Sequence, residues 1–224
     1  MPDAQPSDLI STEAARYALL RRLVPAMLHN MAGALQPIGM TAAIMEKRLQ
    51  SATPDLAALI KSCGNIKTLS REASGTFMEL MIWLAPKGAQ RVAVNAGIED
   101  TVGMVSTELA FRGFMVVNET AGISEEMPQN ILRSVYLAGL MALTDAAQST
   151  GEVTLKAQLA GDEILLEMQF TAVGHESVQG GLQAYRKLEW HDVRFLAQAE
   201  GVKFGQTPTT VAIRIGRSPI HAVE

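Results

Sequence analysis

The sequence predicts an α+β protein in which an N-terminal helical hairpin is followed by a two-layer α/β sandwich. Apolar residues recur every seven positions from Tyr17 to Leu84, as they do along packed helices. After residues 85–88, Ala-Pro-Lys-Gly, the pattern changes to short strands alternating with helices. Hydrophobic residues make up 48% of the chain and aromatic ones only 5%, and a core of Ala, Leu and Met is typical of helix packing. We therefore predict a helical hairpin domain at 1–88 and an α/β domain at 89–224.

The first helix is predicted from about Thr12 to Leu49. Ser11, Thr12 and Glu13 form an N-terminal capping signal, and Pro37 predicts a bend. A third apolar row beside the two heptad rows gives the helix a face wide enough for more than one partner helix. The two heptad rows consist of Tyr17, Val24, Met31, Ile38 and Met45, and of Leu20, Met27 and Ala34.

The second helix is predicted after the turn at 51–55, with Thr53 as its N-cap and Pro54 at the first helical position. Joined by so short a turn, the two helices are expected to lie antiparallel. One hairpin cannot bury two wide apolar faces, so we expect a homodimer in which two hairpins form a four-helix bundle. Cys63 is expected to be buried on this helix. Its apolar rows are Leu56, Cys63, Ser70, Phe77 and Leu84, and Leu59, Ile66, Ala73 and Leu80.

The α/β domain is predicted to be a sheet covered by helices on one face, because its strands pair consecutively as hairpins. Glu125 and Glu126 are expected to lie before a helix and to interact with the positive end of its dipole. The predicted strands are 91–94, 114–118, 153–159, 163–170, 202–204 and 209–215, and the predicted helices are 96–111, 128–147 and 182–199.

Charge and cysteine content narrow the classes of partner. The net charge is -4 without a basic block, so a nucleic-acid surface is not expected. The single cysteine cannot form an internal disulfide, which favours a reducing compartment. The N-terminus is polar, and no stretch reaches the ~18 apolar residues of a membrane span. We expect a cytoplasmic protein that binds neither nucleic acid nor membrane.

His29 is the main candidate for chemistry. In the heptad frame it falls at the outermost position, in one row with Arg22 and Gln36, so all three are predicted to face solvent. One interpretation is an ordinary surface histidine. The other is a nucleophilic imidazole that passes a phosphoryl group, with Asn30 beside it and Arg22 and Gln36 contacting the partner protein.

Residues 28–38, Leu-His-Asn-Met-Ala-Gly-Ala-Leu-Gln-Pro-Ile, resemble the phosphoacceptor box of histidine kinases and of their phosphotransfer relatives. Two positions differ from that pattern. Asn30 stands where an acid is usual, and Ala34 stands at the usual proline position, with Pro37 three residues later. An acid can hold the attacking nitrogen unprotonated, whereas an amide can only hydrogen-bond. We therefore expect no autophosphorylation from ATP.

Residues 92–95, Val-Ala-Val-Asn, open a predicted helix, residues 111–114, Phe-Arg-Gly-Phe, open a predicted strand, and residues 131–151 contain most of a further predicted helix. In this order they resemble the ATP-binding domain of histidine kinases, but the nucleotide motifs of that domain are replaced. Ala142 lies nearest the position of the asparagine that helps to hold magnesium. Residues 170–175, Phe-Thr-Ala-Val-Gly-His, stand in place of the Asp-x-Gly-x-Gly turn that recognises adenine, and the glycine-rich lid is reduced to Gly180-Gly181. The resemblance thus implies a degenerate domain.

This combination resembles dimeric bacterial histidine phosphotransferases, which have a kinase-like architecture and do not bind ATP. The resemblance implies that His29 carries phosphoryl groups between the aspartates of response-regulator receiver domains. No cofactor is then expected in the chain itself, and Mg²⁺ would enter only through the partner receiver domain. No metal site is expected from His175, His191 or His221, because no ligand spacing such as HExxH is present. Two alternatives stay open: a divergent sensor histidine kinase that still binds ATP, and a pseudokinase adaptor without phosphotransfer.

Overall fold

The chain folds into two compact units in a computed structural model that describes residues 6–84, 90–176 and 186–217. One unit, called here the helical unit, comprises residues 24–87. The other, the α/β unit, comprises residues 1–23 together with 88–224. The fold class predicted from the sequence, α+β with long N-terminal helices, is confirmed. The first residues of the chain, however, group with the sheet.

Two long helices begin the chain. Helix α1 spans Pro6–Leu49 and helix α2 spans Leu56–Leu84. The C-terminal end of α1 agrees with the prediction, whereas the helix begins six residues before Thr12. The antiparallel hairpin, the four-helix bundle and the bend at Pro37 stay predictions.

In the helical unit, Asp55 rather than Thr53 caps α2, since its Oδ1 accepts a hydrogen bond from the Ala58 backbone N–H at 3.0 Å. At the end of α1, the Arg48 guanidinium donates to the Ser62 hydroxyl at 3.5 Å. Cys63 is exposed, so its predicted burial is wrong for the chain by itself. Among the described residues of this unit, the buried side chains are Met27, Leu59, Ser62 and Ala73.

The α/β unit contains a five-stranded mixed sheet with the strand order β2-β4-β5-β7-β6. Strands β2 and β4 are parallel, and the other neighbours are antiparallel. Strands β1 and β3 form a separate antiparallel pair. The strands are β1 (Arg91–Ala93), β2 (Phe114–Asn118), β3 (Glu126–Pro128), β4 (Ser149–Ala160), β5 (Glu163–Glu176), β6 (Lys203–Gln206) and β7 (Thr210–Gly216).

Short helices accompany this sheet, and α6 is buried on every side from Leu137 to Asp145. It packs against β5 and β7, while α7 packs against β6. Alternate residues of β4, namely Gly151, Val153 and Leu155, are buried, as expected for a sheet covered on one face. The helices are α3 (Val94–Gly103), α4 (Ser106–Phe111), α5 (Gln129–Ile131) with a π-helical turn at Leu132–Tyr136, α6 (Leu137–Ala146) and α7 (Trp190–Ala199).

Several predicted elements differ in extent. The helix expected at 96–111 is divided into α3 and α4. Glu126 pairs with Ala93 in β3, and α5 begins three residues later with Pro128 as its N-cap and no side-chain cap hydrogen bond. The expected interaction of Glu125 and Glu126 with the helix dipole stays a prediction. Strand β5 continues past Phe170 to Glu176, so His175 lies in a strand and not in a loop. Residues 186–189 are not helical, and the part of the predicted helix before residue 186 lies outside the described residues.

The N-terminal segment of α1 belongs to the α/β unit and is amphipathic. Its buried residues lie three or four positions apart, which places them on one side of the helix. These residues are Thr12, Ala15, Ala18, Leu19, Arg22 and Leu23. A stripe of this kind explains why the segment packs with the sheet-bearing unit.

Candidate functional site

His29 lies in the part of α1 that belongs to the helical unit, and its side chain is exposed, as predicted. On a helix its neighbours are the residues three and four positions away. All four of these are small or ring-closed: Pro25, Ala26, Ala32 and Gly33. At Gly33 an added Cβ would meet no atom within 4 Å. The imidazole therefore projects from a low, unobstructed helix surface.

Asn30 and Gln36 are also exposed and lie on the same helix. Gln36 follows His29 by seven residues, which is about two turns and places both on one face. Asn30, the next residue after His29, projects about 100° away around the helix. Gln36 and His29 therefore lie on the same face of α1, whereas Asn30 lies on the adjacent face.

Arg22 is not a solvent-facing residue, although it occupies the same heptad row. Its relative exposure is 4%, and its guanidinium binds two carboxylates of the α/β unit. Nη1 donates to Asp145 Oδ2 at 2.7 Å, and Nη2 to Glu108 Oε1 at 2.5 Å. The prediction that Arg22 faces solvent and contacts a partner protein is wrong, because its guanidinium is buried against Asp145 and Glu108.

Four residues form what we call the Arg22 cluster: Arg22, Glu108, Arg112 and Asp145. The second arginine, Arg112, reaches Asp145 Oδ1 from Nη2 at 2.8 Å and Glu108 Oε1 from Nη1 at 3.5 Å. Asp145 Oδ2 also accepts a hydrogen bond from the Leu188 backbone N–H at 2.8 Å. Two positive and two negative side chains balance. Asp145 joins α1, Arg112 directly after α4, and the segment before α7.

The charge state of this cluster follows from its contacts. Burial by itself lowers the pKa of the Arg22 guanidinium, but the hydrogen bonds and charges of Asp145 and Glu108 outweigh it and raise the pKa. Arg22 therefore stays charged, and its buried charge is compensated within the cluster.

Sequence reasoning missed Glu108, Arg112 and Asp145 as partners of Arg22. The available signal was the position of Arg22 between Leu19 and Leu23, both of which are buried. A charged residue inside an apolar stripe usually has a buried partner of opposite charge. The sequence did not allow that partner to be predicted, because Asp145 is 123 residues away from Arg22 in the chain.

The residues that the sequence sets against the nucleotide motifs of kinases lie in α6 and β5. Ala142 is buried at 1% exposure in α6. Residues 170–174 lie inside β5, where Ala172 pairs with Gly151 and Thr171 with Glu152 of β4. A Cβ at Gly151 would come within 2.2 Å of the Thr171 carbonyl oxygen, so the two strands approach closely. Gly180-Gly181 lies outside the described residues.

A cavity of about 370 Å³ lies beside the C-terminal end of α6. Ala142, Asp145 and Ala146 form one side of it, and Lys187, Trp190 and Arg194 belong to the other. Within the cavity wall, Asp145 is already bound by two arginines and a backbone N–H. Both of its carboxylate oxygens are therefore engaged within the α/β unit.

His191 differs from His29 in its surroundings. His191 is half exposed on α7, with Nδ1 at 3.2 Å from Glu189 Oε2 and Nε2 at 3.5 Å from Asp192 Oδ1. Glu189 and Asp192 form the capping box of α7. Burial raises the pKa of Asp192, but the hydrogen bond from Arg186 and further contacts outweigh it and lower the pKa. His221 lies outside the described residues.

Neither a metal cluster nor a membrane-spanning helix occurs in the part of the chain that the structure describes. Across residues 6–84, 90–176 and 186–217, no three His, Cys, Asp or Glu side chains are grouped as a metal ion would require. No helix in the same ranges combines the length and apolar content needed to cross a membrane.

Comparison with known proteins gives matches in structure alone, since no family model and no curated protein matches the sequence. The chain is similar to Acinetobacter baumannii histidine kinase AdeS, with 10% identity, a TM-score of 0.44, and coverage of 80% of this chain and 95% of that one. For the Erythrobacter litoralis EL346 blue-light activated histidine kinase the identity is 18%, the TM-score 0.45 and the coverage 80% and 63%. A bacterial phosphotransferase matches with 14% identity, a TM-score of 0.39, and coverage of 88% and 94%.

Proposed function

We propose that this protein is a histidine phosphotransfer protein that relays phosphoryl groups between response-regulator aspartates through His29. The observation that carries the proposal is the exposed imidazole in the middle of a long helix, with small or ring-closed residues three and four positions away on either side. A receiver domain has to bring its aspartyl phosphate within bonding distance of the imidazole, and bulky neighbours would prevent this approach.

The chemistry needs one nucleophilic nitrogen and no cofactor of the chain itself. An unprotonated imidazole nitrogen attacks the phosphorus of an aspartyl phosphate, so that an N–P bond forms while the O–P bond to the carboxylate breaks. The aspartate leaves as a carboxylate. A second receiver reverses the step, and its aspartate oxygen takes the phosphoryl group from His29. Mg²⁺, which neutralises the phosphoryl charge in such reactions, would be contributed by the receiver domain.

Independence of ATP is the second part of the proposal, and it is supported by the residues around α6. Asp145 is the one acid on that helix, and it is bound by Arg22 and Arg112. A magnesium ion beside Asp145 would have to displace two guanidinium groups. The residues in place of the adenine-binding turn are paired in a sheet. We therefore expect phosphoryl groups to come from receivers and not from ATP.

A divergent histidine kinase is the alternative that one observation favours. The cavity of about 370 Å³ beside α6 carries Lys187 and Arg194, whose charges would suit a polyphosphate. Titration with a fluorescent ATP analogue in the presence of Mg²⁺ separates the two functions. Saturable binding at micromolar concentration would favour the kinase, whereas our proposal expects none below millimolar concentration.

The decisive experiment is labelling by phosphorylated receivers. Purified protein is mixed with each receiver domain of its host that has been phosphorylated with a radioactive small phosphodonor. We expect the wild type and His191→Ala to become labelled and His29→Ala to stay unlabelled. If no receiver labels the wild type, the protein is an adaptor without phosphotransfer and our proposal is wrong.

Gly33 offers a sharper test of the exposed surface around His29. A leucine at this position has open space around its Cβ, so the fold should tolerate Gly33→Leu. Its side chain would stand beside the imidazole, and we expect transfer to slow by about tenfold or more. Gly39→Leu is the matched control, because Gly39 is equally unobstructed and lies on a different side of α1. Equal rates for both variants would contradict a close approach of the receiver at Gly33.

Homodimerisation belongs to the same proposal. Large apolar side chains remain exposed along both helices of the helical unit, and a single chain leaves them in water. A second copy would cover them as a four-helix bundle. These side chains are Leu28, Leu35, Met40, Ile44 and Leu49 of α1 and Leu56, Ile60, Met78 and Met81 of α2.

A further inference from the structure

The carboxylate of Asp145 binds two segments of the α/β unit that are far apart in the sequence. Its Oδ2 accepts a hydrogen bond from Arg22 Nη1 at 2.7 Å and another from the Leu188 backbone N–H at 2.8 Å. One oxygen atom therefore joins residues 6–23, the first segment of α1, to residues 186–189, the segment before α7. Both segments belong to the α/β unit.

The acceptor positions of this carboxylate are filled by described donors. The Arg112 guanidinium lies at 2.8 Å from Oδ1, and Arg22 Nη2 donates to the same oxygen at 3.3 Å. A carboxylate offers about four lone-pair positions. Arg22 thus supplies two of the four contacts of a side chain that is only 3% exposed. Loss of Arg22 would leave two acceptor positions of a buried, charged group without a donor, which is unfavourable.

Residues 186–189 have little else to hold them against the rest of the α/β unit. They are neither helix nor strand, and of the four only Leu188 is buried. The other hydrogen bonds described for this segment lie within it or go to α7, mainly to Asp192. Among the described residues, Asp145 is thus the one hydrogen-bond partner of this segment outside the segment itself and α7.

The cavity beside α6 gives Asp145 an alternative to these contacts. Asp145 is one of the residues that line this space of about 370 Å³. Without Arg22, the carboxylate would gain water by rotating toward the cavity, because a buried charge needs hydrogen-bond partners. The same rotation moves Oδ2 away from the Leu188 N–H, which then loses its acceptor. Docking of residues 6–23 and fixation of residues 186–189 therefore depend on one orientation of a single side chain.

We propose that Asp145 couples the docking of residues 6–23 on the α/β unit to the position of residues 186–189, which contribute one wall of the cavity beside α6. With Arg22 in place, this wall is held against α6 through the Leu188 N–H. When residues 6–23 are released, Asp145 turns and the wall is freed. The coupling does not involve phosphotransfer, so its test is independent of the proposed function.

Amide hydrogen exchange of the full chain, followed residue by residue by NMR, measures the coupling. Arg22→Met removes both donors and keeps a side chain of similar length. We expect the protection of the Leu188 amide to fall by about tenfold or more, because the segment then opens locally. The amide of Leu166, which is fully buried in the central strand β5, reports any loss of global stability. The fall at Leu188 should exceed the fall at Leu166.

Two controls separate the coupling from a general loss of stability. Arg16→Gln removes another ion pair of the first segment, that with Glu200 at 3.6 Å, and should change the protection of Leu188 by less than about twofold. Ile98→Ala opens a cavity in the buried face of α3. It should lower the protection of Leu166 at least as much as that of Leu188.

The outcomes decide for or against the coupling. A folded Arg22→Met variant in which Leu188 loses no more protection than Leu166 would overturn it. An equal loss at Leu188 in Arg16→Gln would also contradict it, because the effect would then not pass through Asp145. If Arg22→Met does not fold, Arg22→Lys decides, since it keeps the charge without the forked geometry. A fall at Leu188 of about threefold or more beyond that at Leu166 supports the coupling, and a smaller difference contradicts it.

Discussion

The stretch of α1 from Thr12 to Leu23 and the stretch from Leu28 to Leu49 follow similar apolar patterns but differ in what covers them. In the first, Leu19 and Leu23 are 5% and 3% exposed. In the second, Leu28 and Leu35 are 58% and 47% exposed. One continuous helix thus contributes to the core of the α/β unit and then presents an uncovered apolar surface. The difference shows that apolar periodicity marks a face to be buried without saying what buries it.

The largest expected effect concerns Arg22. Arg22→Ala leaves the buried Asp145 carboxylate and the partly exposed Glu108 carboxylate with Arg112 as their one remaining cation among the described residues, and should lower the free energy of unfolding by about 3–5 kcal/mol. Arg21→Ala, one residue earlier and exposed, should change it by less than about 0.5 kcal/mol. Urea denaturation followed by circular dichroism measures both. Equal effects would mean that the first stretch of α1 is not fixed by its buried face.

A matched pair of leucines compares the two stretches directly. Leu19→Ala should cost about 2–5 kcal/mol, because it opens a cavity in the α/β unit. Leu28→Ala removes an exposed side chain and should cost less than about 0.5 kcal/mol when protein concentration is low enough to keep the chain monomeric. Denaturation curves at several protein concentrations separate the loss of stability within one chain from the loss caused by weaker self-association. If Leu28→Ala lowers the free energy of unfolding as much as Leu19→Ala does, and independently of protein concentration, the two stretches do not differ in burial as described.

Self-association should depend on the second stretch only. Leu35→Glu places a charge in the proposed dimer surface and should weaken the dimer by about tenfold or more, as measured by sedimentation equilibrium. Leu159 of β4 is exposed to the same degree, 45% against 47%, so Leu159→Glu is the control and should leave the dimer unchanged. Dissociation by the control variant alone would locate the interface on the sheet.

The smallest expected effect is a loss of stability of the α/β unit at low pH. Among the described residues, the buried carboxylates Asp145 and Asp192 both lie in the α/β unit. The pKa of Asp192 is lowered in the folded protein, so its contribution to stability is present above its unfolded pKa of about 3.9 and is lost as the pH falls through the folded value. Urea midpoints measured from pH 6 to pH 3 should therefore fall.

Asp192→Asn supplies the control for this acid response. It should reduce the midpoint at pH 6 and flatten the decline below about pH 4. An unchanged decline in this variant would assign the acid sensitivity to other carboxylates.

The pattern of apolar and polar residues predicted the bounds of those elements that depend only on their own residues. Strand β2 was predicted at both ends, from Phe114 to Asn118, and α1 was predicted at its C-terminal end. The same pattern did not predict elements whose existence or length depends on pairing with a neighbouring strand. Strand β3 has three residues and exists through its pairing with β1, and β5 extends to Glu176 through its pairing with β4. The register of such pairs is a tertiary property.

For the candidate site, the sequence by itself determined that His29 lies on a long helix, exposed and with small neighbours, because these are properties of spacing within one element. Only the tertiary structure decided the fate of Arg22, which the same heptad row placed in solvent. Its partners Glu108 and Asp145 are 86 and 123 residues away along the chain. Periodicity assigns a residue to a face of its helix, whereas the burial of that face depends on which distant segments fold against it.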